Sequence, residues 1–243
     1  MPRRATRQLE MTLPPPRTWG GRRKGAGRKR SRSSGVSHLR RPALASRYPV
    51  LVTLKVRREL RTLRTKKRVQ LMRRIFVVVC RGEGFRIVDW SIQGNHIHVT
   101  VEAANAAALS RGMQGLSIRI ARGLNKLSGR SGSVFVDRYH ARILTSPREV
   151  RNARAYVLNN HHHHGADYGI RLSTRPADRL GVDSFSSWAW FDGWRELPPA
   201  DASRAARERE GPPPVAPAQT WLMRVGWRRH GLVRIDEIPR PSR

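Results

Sequence analysis

The stretch Gly94-Asn95-His96-Ile97-His98-Val99-Thr100-Val101 constrains this chain more than any other. Ile97, Val99 and Val101 alternate with His96, His98 and Thr100. A β-strand has a period of two, so one face can lie on a core while two imidazoles project together from the other. Gly94-Asn95 is a two-residue hairpin signal and pairs this strand with the preceding run Phe85–Ile92. Two imidazoles at i and i+2 can chelate one divalent metal if a third ligand arrives from elsewhere. They can equally be a solvated or hydrogen-bonded pair on an open sheet face, and His-x-His alone does not decide.

Patterns on either side supply the rest of a domain. Pro49–Val56 is rich in β-branched residues and reads as a first strand. Leu60, Leu63, Met72, Ile75, Phe76 and Val79 recur at helical spacing and predict a helix from about Arg58 to Val79, closed by Gly82 and Gly84. Its arginines and lysines form either a solvated face or a nucleic-acid face. Asn105 can cap a second helix on which Leu109, Met113, Leu116, Ile120, Leu124 and Leu127 step by three or four residues. After the loop Ser128–Ser133, Val134–Leu144 reads as a fourth strand. Ser146-Pro147-Arg148-Glu149 then offers a serine cap, proline at the first helical position and glutamate at the third, which is a capping box. On the helix it opens, Val150, Ala153 and Val157 can pack inward, while Asn152, Tyr156 and Asn160 share an adjacent face at i, i+4 and i+8.

Strand, helix, strand, strand, helix, strand, helix predicts an α+β fold: a ferredoxin-like antiparallel sheet with helices on one face and the other face open. His96 and His98 would project from the open face. A terminal helix laid across that face would bring Tyr156 and Asn160 to them.

Charge names the class of partner. Against 17 Asp and Glu stand 49 Lys and Arg, a formal charge of +32, which attracts polyanions and makes nucleic acid the expected ligand. A ribosomal or chromatin-packing protein would carry the same field, so charge says nothing about a reaction. Residues 1–46 read as a basic, disordered arm with thirteen Lys or Arg up to Arg41 and one acid, Glu10. Within it Arg22, Arg23, Lys24, Arg28, Lys29 and Arg30, spaced by glycines, suit a DNA backbone or minor groove. A single cysteine, Cys80, excludes an internal disulfide framework. No apolar run approaches membrane-spanning length, and a cytoplasmic, nucleoid-associated location is expected.

Taken together, these residues resemble the single-tyrosine HUH transposases, and most closely the REP-associated tyrosine transposases, over about Tyr48–Asn160. The points of match are Gly94-Asn95-His96-Ile97-His98 with Val101-Glu102, Met113-Gln114-Gly115-Leu116, Arg138-Tyr139-His140 and Tyr156-Val157-Leu158-Asn159-Asn160. The resemblance implies a metal-dependent nuclease and strand transferase of single-stranded DNA bearing hairpin or palindromic elements, working as a monomer or homodimer. It makes His96 and His98 the metal pair, Asn160 a third ligand, and Tyr156 the nucleophile that retains a 5′ phosphate. Asn159 competes with Asn160 for that role. The implied ion is Mg²⁺ or Mn²⁺, and a two-histidine, one-amide donor set accepts Mn²⁺ at least as readily. Arg138 and Arg142 either contact DNA or lie solvated on an edge strand. His161–His164 is left outside the site.

A scaffold of the same fold that binds nucleic acid without chemistry is the alternative. The domain is expected to span 47–164. Residues 165–243 form a C-terminal extension with a linker near 198–219, and its tryptophans either dock on the core or stack on bases.

Overall fold

The computed structural model describes residues 42–164 and 181–237, and the basic arm of expected DNA contacts at Arg22–Arg30 lies outside them. Five strands form one antiparallel sheet in the order β2-β3-β4-β1-β5, with β1 at Val50–Lys55, β2 at Arg81–Gly82, β3 at Phe85–Ile92, β4 at His96–Ala103 and β5 at His140–Ile143. Setting aside the two-residue β2, the order β3-β4-β1-β5 with its two crossover helices is the ferredoxin-like arrangement. The β3–β4 hairpin turns through Gly94-Asn95, with Ile92 opposite Ile97 and the Gln93 N–H bonded to the His96 carbonyl at 2.8 Å.

Alternation sorts the two faces as expected. Val50, Val52, Leu54, Ile97, Val99 and Val101 are all buried beneath helices α1 (Lys66–Val79) and α2 (Ala106–Leu127), meeting Met72, Phe76, Met113, Leu116 and Ile120 in one cluster. Asn105 caps α2, its Oδ1 accepting from the Ala108 N–H at 2.9 Å. α2 approaches the sheet so closely that a Cβ on Gly112 would sit 2.3 Å from the Phe85 ring, which only glycine permits. The third helix, α3 (Pro147–His164), crosses the opposite face, where Val150, Ala153, Ala155 and Leu158 pack in a second cluster with Val88 and Leu144. Among the described residues, no helix is long and apolar enough to cross a membrane.

Three expectations need correction. The helix predicted over 58–79 is broken: Arg58–Leu60 is a single 3₁₀ turn, Arg61 takes a left-handed φ of 53°, and α1 begins only after Thr65. The reason lies in competing hydrogen bonds. The Arg57 N–H goes to the Val134 carbonyl at 2.9 Å and that of Leu63 to Gly94 at 2.7 Å, so this segment spends its donors on the end of the sheet. The strand predicted over 134–144 pairs only from His140 to Ile143. Before it, Phe135 makes an isolated bridge to Val56, beyond the end of β1.

The stretch 198–219 is no loose linker. It contains helix α4 (Pro199–Arg209) and the buried Val215 and Ala216, the latter donating to the Ile87 carbonyl at 2.7 Å. Asp183, Phe185 and Ser186 cover the outer side of β3, with Ser186 bridging Ser91 and Arg64 gripping Asp183 through two hydrogen bonds of 2.9 and 2.7 Å. The extension therefore shields a sheet edge that would otherwise expose unpaired backbone groups. Trp188 and Trp227 are fully buried, so most of its aromatic content is packing.

One ion pair ties α3, sheet and extension together. Arg154, 5% exposed, places Nε 3.0 Å from Asp89 Oδ2 and donates from Nη2 to Oδ1 at 3.1 Å and from Nη1 to the Met223 carbonyl at 3.1 Å. Its guanidinium lies against the rings of Phe191 and Trp227, 4.5 and 4.7 Å from their centroids. Replacing Arg154 by Met leaves a buried carboxylate uncompensated and is expected to cost about 3–5 kcal/mol in urea unfolding. Adding Asp89→Leu should return part of that loss. If the double variant is no more stable than the single one, the pair is not what holds α3.

Candidate active site

Strand parity builds the site. In the ladder His98 faces Thr53, and Thr53 faces His140 on the other side, so the row Ser91, His98, Thr53, His140 crosses four strands on the α3 face. His96 stands two residues from His98 on the same face, opposite Lys55. The two imidazoles meet edge to face with centroids 4.6 Å apart. His96 Nδ1 lies 2.7 Å from the Asn95 side-chain oxygen. An amide oxygen only accepts, so Nδ1 carries the proton of that bond. The Thr53 hydroxyl holds His98 Nδ1 at 2.9 Å and fixes the orientation of that ring.

α3 supplies the other half. Its first turn is the predicted capping box. The Glu149 N–H donates to Ser146 Oγ at 3.3 Å, and the Ser146 N–H returns a bond to Glu149 Oε2 at 3.1 Å. Two turns on, the half-buried Tyr156 ring sits over His98 with centroids 5.0 Å apart. Burial pushes the Tyr156 phenol up from its ordinary value, and the nearby Asn160 amide opposes that shift. A raised phenol is a weaker source of phenolate at neutral pH.

Asn160 is completely buried, and among the described residues neither its amide oxygen nor its nitrogen meets strict hydrogen-bond geometry with a protein atom. Its amide lies near enough to the Tyr156 oxygen for a loose hydrogen bond that favours the phenolate. An unsatisfied buried amide is costly, and a cation bound beside it would satisfy the oxygen. Among the described residues no group of three His, Cys, Asp or Glu gathers to hold a metal.

The neighbouring asparagine does different work. Asn159 Nδ2 donates to the Arg234 and Glu237 carbonyls at 2.7 and 3.1 Å and so docks the extension. His161 Nε2 lies 3.1 Å from the Gly181 carbonyl and His162 Nε2 lies 3.0 Å from that of Ile235. Burial, outweighing the nearby Asp183 carboxylate, pushes His161 down to about 4. These two histidines are thus structural.

Arg142 lines a cavity beside Tyr156 and is held by Glu149 at 3.1 Å, whereas Arg138 lies in the irregular segment before β5 and does not line it. Sequence reasoning left Thr53, His140, Asp89 and Arg154 out of its site. His140 carried a signal, since it shares strand parity with Arg142, and Thr53 a weaker one, as the polar residue alternating with Val52 and Leu54. Arg154 carried none, because a buried arginine looks in sequence like any other on a basic helix.

With this geometry in hand, the comparisons fall into place. Residues 44–160 match the family model described as "Transposase IS200 like". That stretch is a domain of the IS200-like transposase family. A solved structure described as "Structure of the REP associates tyrosine transposase bound to a REP hairpin" is similar at a TM-score of 0.46 and 17% sequence identity, over 63% of this chain and 82% of that one. No curated protein matches.

The start of α3 yields a pH prediction. Burial pushes the Glu149 carboxyl up. The hydrogen bonds it accepts from the Thr145 N–H and hydroxyl, Arg142 and the Ser146 N–H outweigh burial and hold it at about 2. A carboxylate held low stabilises the fold above its ordinary value of 4.5, and that contribution is lost as pH falls through about 2. Glu149→Ala should cost about 1 kcal/mol at pH 7. Its stability deficit against wild type should close between pH 4.5 and pH 2 in chemical-unfolding curves.

Proposed function

We propose that this protein is a metal-dependent single-tyrosine transposase that cuts and rejoins single-stranded DNA through a phosphotyrosine. The observation that carries the reading is α3 laid across the polar sheet face, with the Tyr156 ring 5.0 Å from that of His98 and the buried Asn160 one turn further on. His96, His98 and Asn160 are the residues that would hold the ion. It would supply Lewis-acid polarisation of the scissile phosphate and offset charge in the transition state.

The Tyr156 oxygen attacks phosphorus and gives up its proton. The bond from phosphorus to the 3′ oxygen breaks, and that oxygen leaves as a protonated 3′ hydroxyl. The 5′ phosphate remains on Tyr156 as a diester, so the reverse attack by a 3′ hydroxyl reseals DNA without ATP. Asn95 and Thr53 orient the two imidazoles, and the packing of Arg154 holds the helix that presents Tyr156. Arg142 is placed to meet the DNA backbone. The basic arm, with Arg22, Arg23, Lys24, Arg28, Lys29 and Arg30, would add sequence-independent attraction along the strand. Hairpin-bearing single-stranded DNA is the substrate class that family membership favours, with Mg²⁺ or Mn²⁺ as the ion.

The test is a covalent-adduct assay. The protein is mixed with labelled single-stranded DNA from its own gene's flanks, with Mn²⁺ or EDTA, and resolved on a denaturing gel. Wild type should give a shifted band that disappears with EDTA and with Tyr156→Phe, and that His98→Ala reduces by about a hundredfold or more. Tight binding with no adduct on any hairpin-bearing substrate would replace this reading with that of a non-catalytic nucleic-acid-binding regulator.

A further inference from the structure

The cavity at Tyr156 is lined at one end by the phenol and His98, which the chemistry above uses, and continues past them to residues on β1, β5 and α3 that it does not use. It has a volume of about 240 Å³, with the sheet residues Leu51 and Thr53 on one side, His140 on β5, and Asn152 and Ala153 on α3. Resting on the single-strand cleavage reading, we propose that this cavity is a subsite for the one unpaired nucleobase next to the scissile phosphate. Asn152 and His140 would be the residues that read it.

The position follows from the helix. Asn152 lies one turn before Tyr156 and Asn160 one turn after it, so the three share a helix face with the phenol in the middle. Asn152 lines the cavity and Asn160 does not, so along α3 the cavity extends from the phenol away from Asn160. A phosphate attacked by Tyr156 has two flanking nucleotides, and the one directed away from Asn160 is carried over the cavity.

The size and chemistry of the lining suit that occupant. At about 240 Å³ the space falls below that of pockets enclosing drug-sized ligands, so it admits a single ring system and no more. Leu51, Leu144 and Ala153 give apolar surface for the face of a base, while Asn152 and His140 give an amide and an imidazole for its edge. This division between face and edge is how unpaired bases are recognised. The one carboxylate in the lining, Glu149, is taken up by Arg142, Thr145 and Ser146, so it does not repel a nucleotide. The Arg142 it holds adds positive charge on the same side. Asn152 and His140 are exposed and belong to neither apolar cluster, so substitutions there leave the core intact.

The experiment uses the full chain, Mn²⁺ and a cleaved single-stranded oligonucleotide in which the base on either side of the cut is removed in turn to leave an abasic site. Single-turnover adduct formation is followed for wild type, Asn152→Ala and His140→Ala, with thermal melts confirming that each variant is folded. In wild type, loss of one of the two flanking bases should slow adduct formation by about tenfold or more, and loss of the other should not. In each variant that penalty should largely disappear, because the intact base has lost its edge contact.

Wild type indifferent to the loss of either base would overturn the proposal, as would folded variants that keep the full penalty. Loss of all cleavage by both folded variants on every substrate would also overturn it, since that result assigns the pair to the chemistry. Absence of any wild-type adduct would bring down the cleavage reading itself, a different result from cleavage that ignores the flanking base.

Discussion

The geometry of this protein depends on a guanidinium two residues before the tyrosine. Arg154 and Asp89 are 5% and 2% exposed, and each would be a severe liability alone. Burial pushes the Asp89 carboxyl up even with Arg154 beside it, the mark of a pair whose desolvation cost is not cheaply recovered. Such a pair adds little net stability. What it does is make every other placement of α3 expensive, because a helix slipped or rotated by one residue would bury both charges unmatched. Since side chains on a helix are rigidly spaced, fixing Arg154 fixes where Tyr156 and Asn160 fall relative to the histidine row.

The same interaction explains why the C-terminal extension belongs to the working domain. Phe191 and Trp227 pack their rings against the guanidinium, and the Met223 carbonyl takes one of its donors. Glu102, at the end of the histidine strand, accepts the backbone N–H groups of Gln219 and Thr220 at 2.8 Å each, and Asn159 holds the chain again near Glu237. The extension thus touches the histidine strand and the tyrosine helix together. Around the histidine row the sheet face is polar, and α3 is held by apolar packing with Val88 and Leu144 and with Leu222, Met223 and Trp227 of the extension.

Much of this was legible in the linear pattern. Period-two alternation put Ile97, Val99 and Val101 on the core and His96 and His98 opposite, and the capping box at Ser146–Glu149 located the start of α3. The misreadings share a cause. Leu60 and Leu63 are buried as a helix would bury them, yet their segment spends its N–H groups on Gly94 and Val134 and so cannot be one continuous helix. Residues 134–139 have the β-branched and aromatic content of a strand but reach β1 only at its end, where Val134, Phe135 and Val136 pair with Lys55–Arg57 before the chain leaves the sheet. The stretch 198–219 reads as a linker because alanine, proline and charge dominate it. Its few apolar residues, Ala205, Val215 and Ala216, are nevertheless the ones buried.

The sequence by itself determined the local elements, the parity of each strand and the set of chemical groups on each face. These depend on backbone periods and caps that act over a few residues. Which asparagine lies beside Tyr156 and which docks the tail was decided only by the tertiary structure. Asn159 and Asn160 are adjacent and chemically identical, and a rotation of about 100° per helical residue sends one toward Glu237 and the other toward Tyr156. The row His98, Thr53, His140 likewise joins residues far apart in the chain, through a register that two ladders set together. Long-range pairings of this kind leave no mark on the composition or periodicity of any one segment, because the partner that defines them lies elsewhere in the chain.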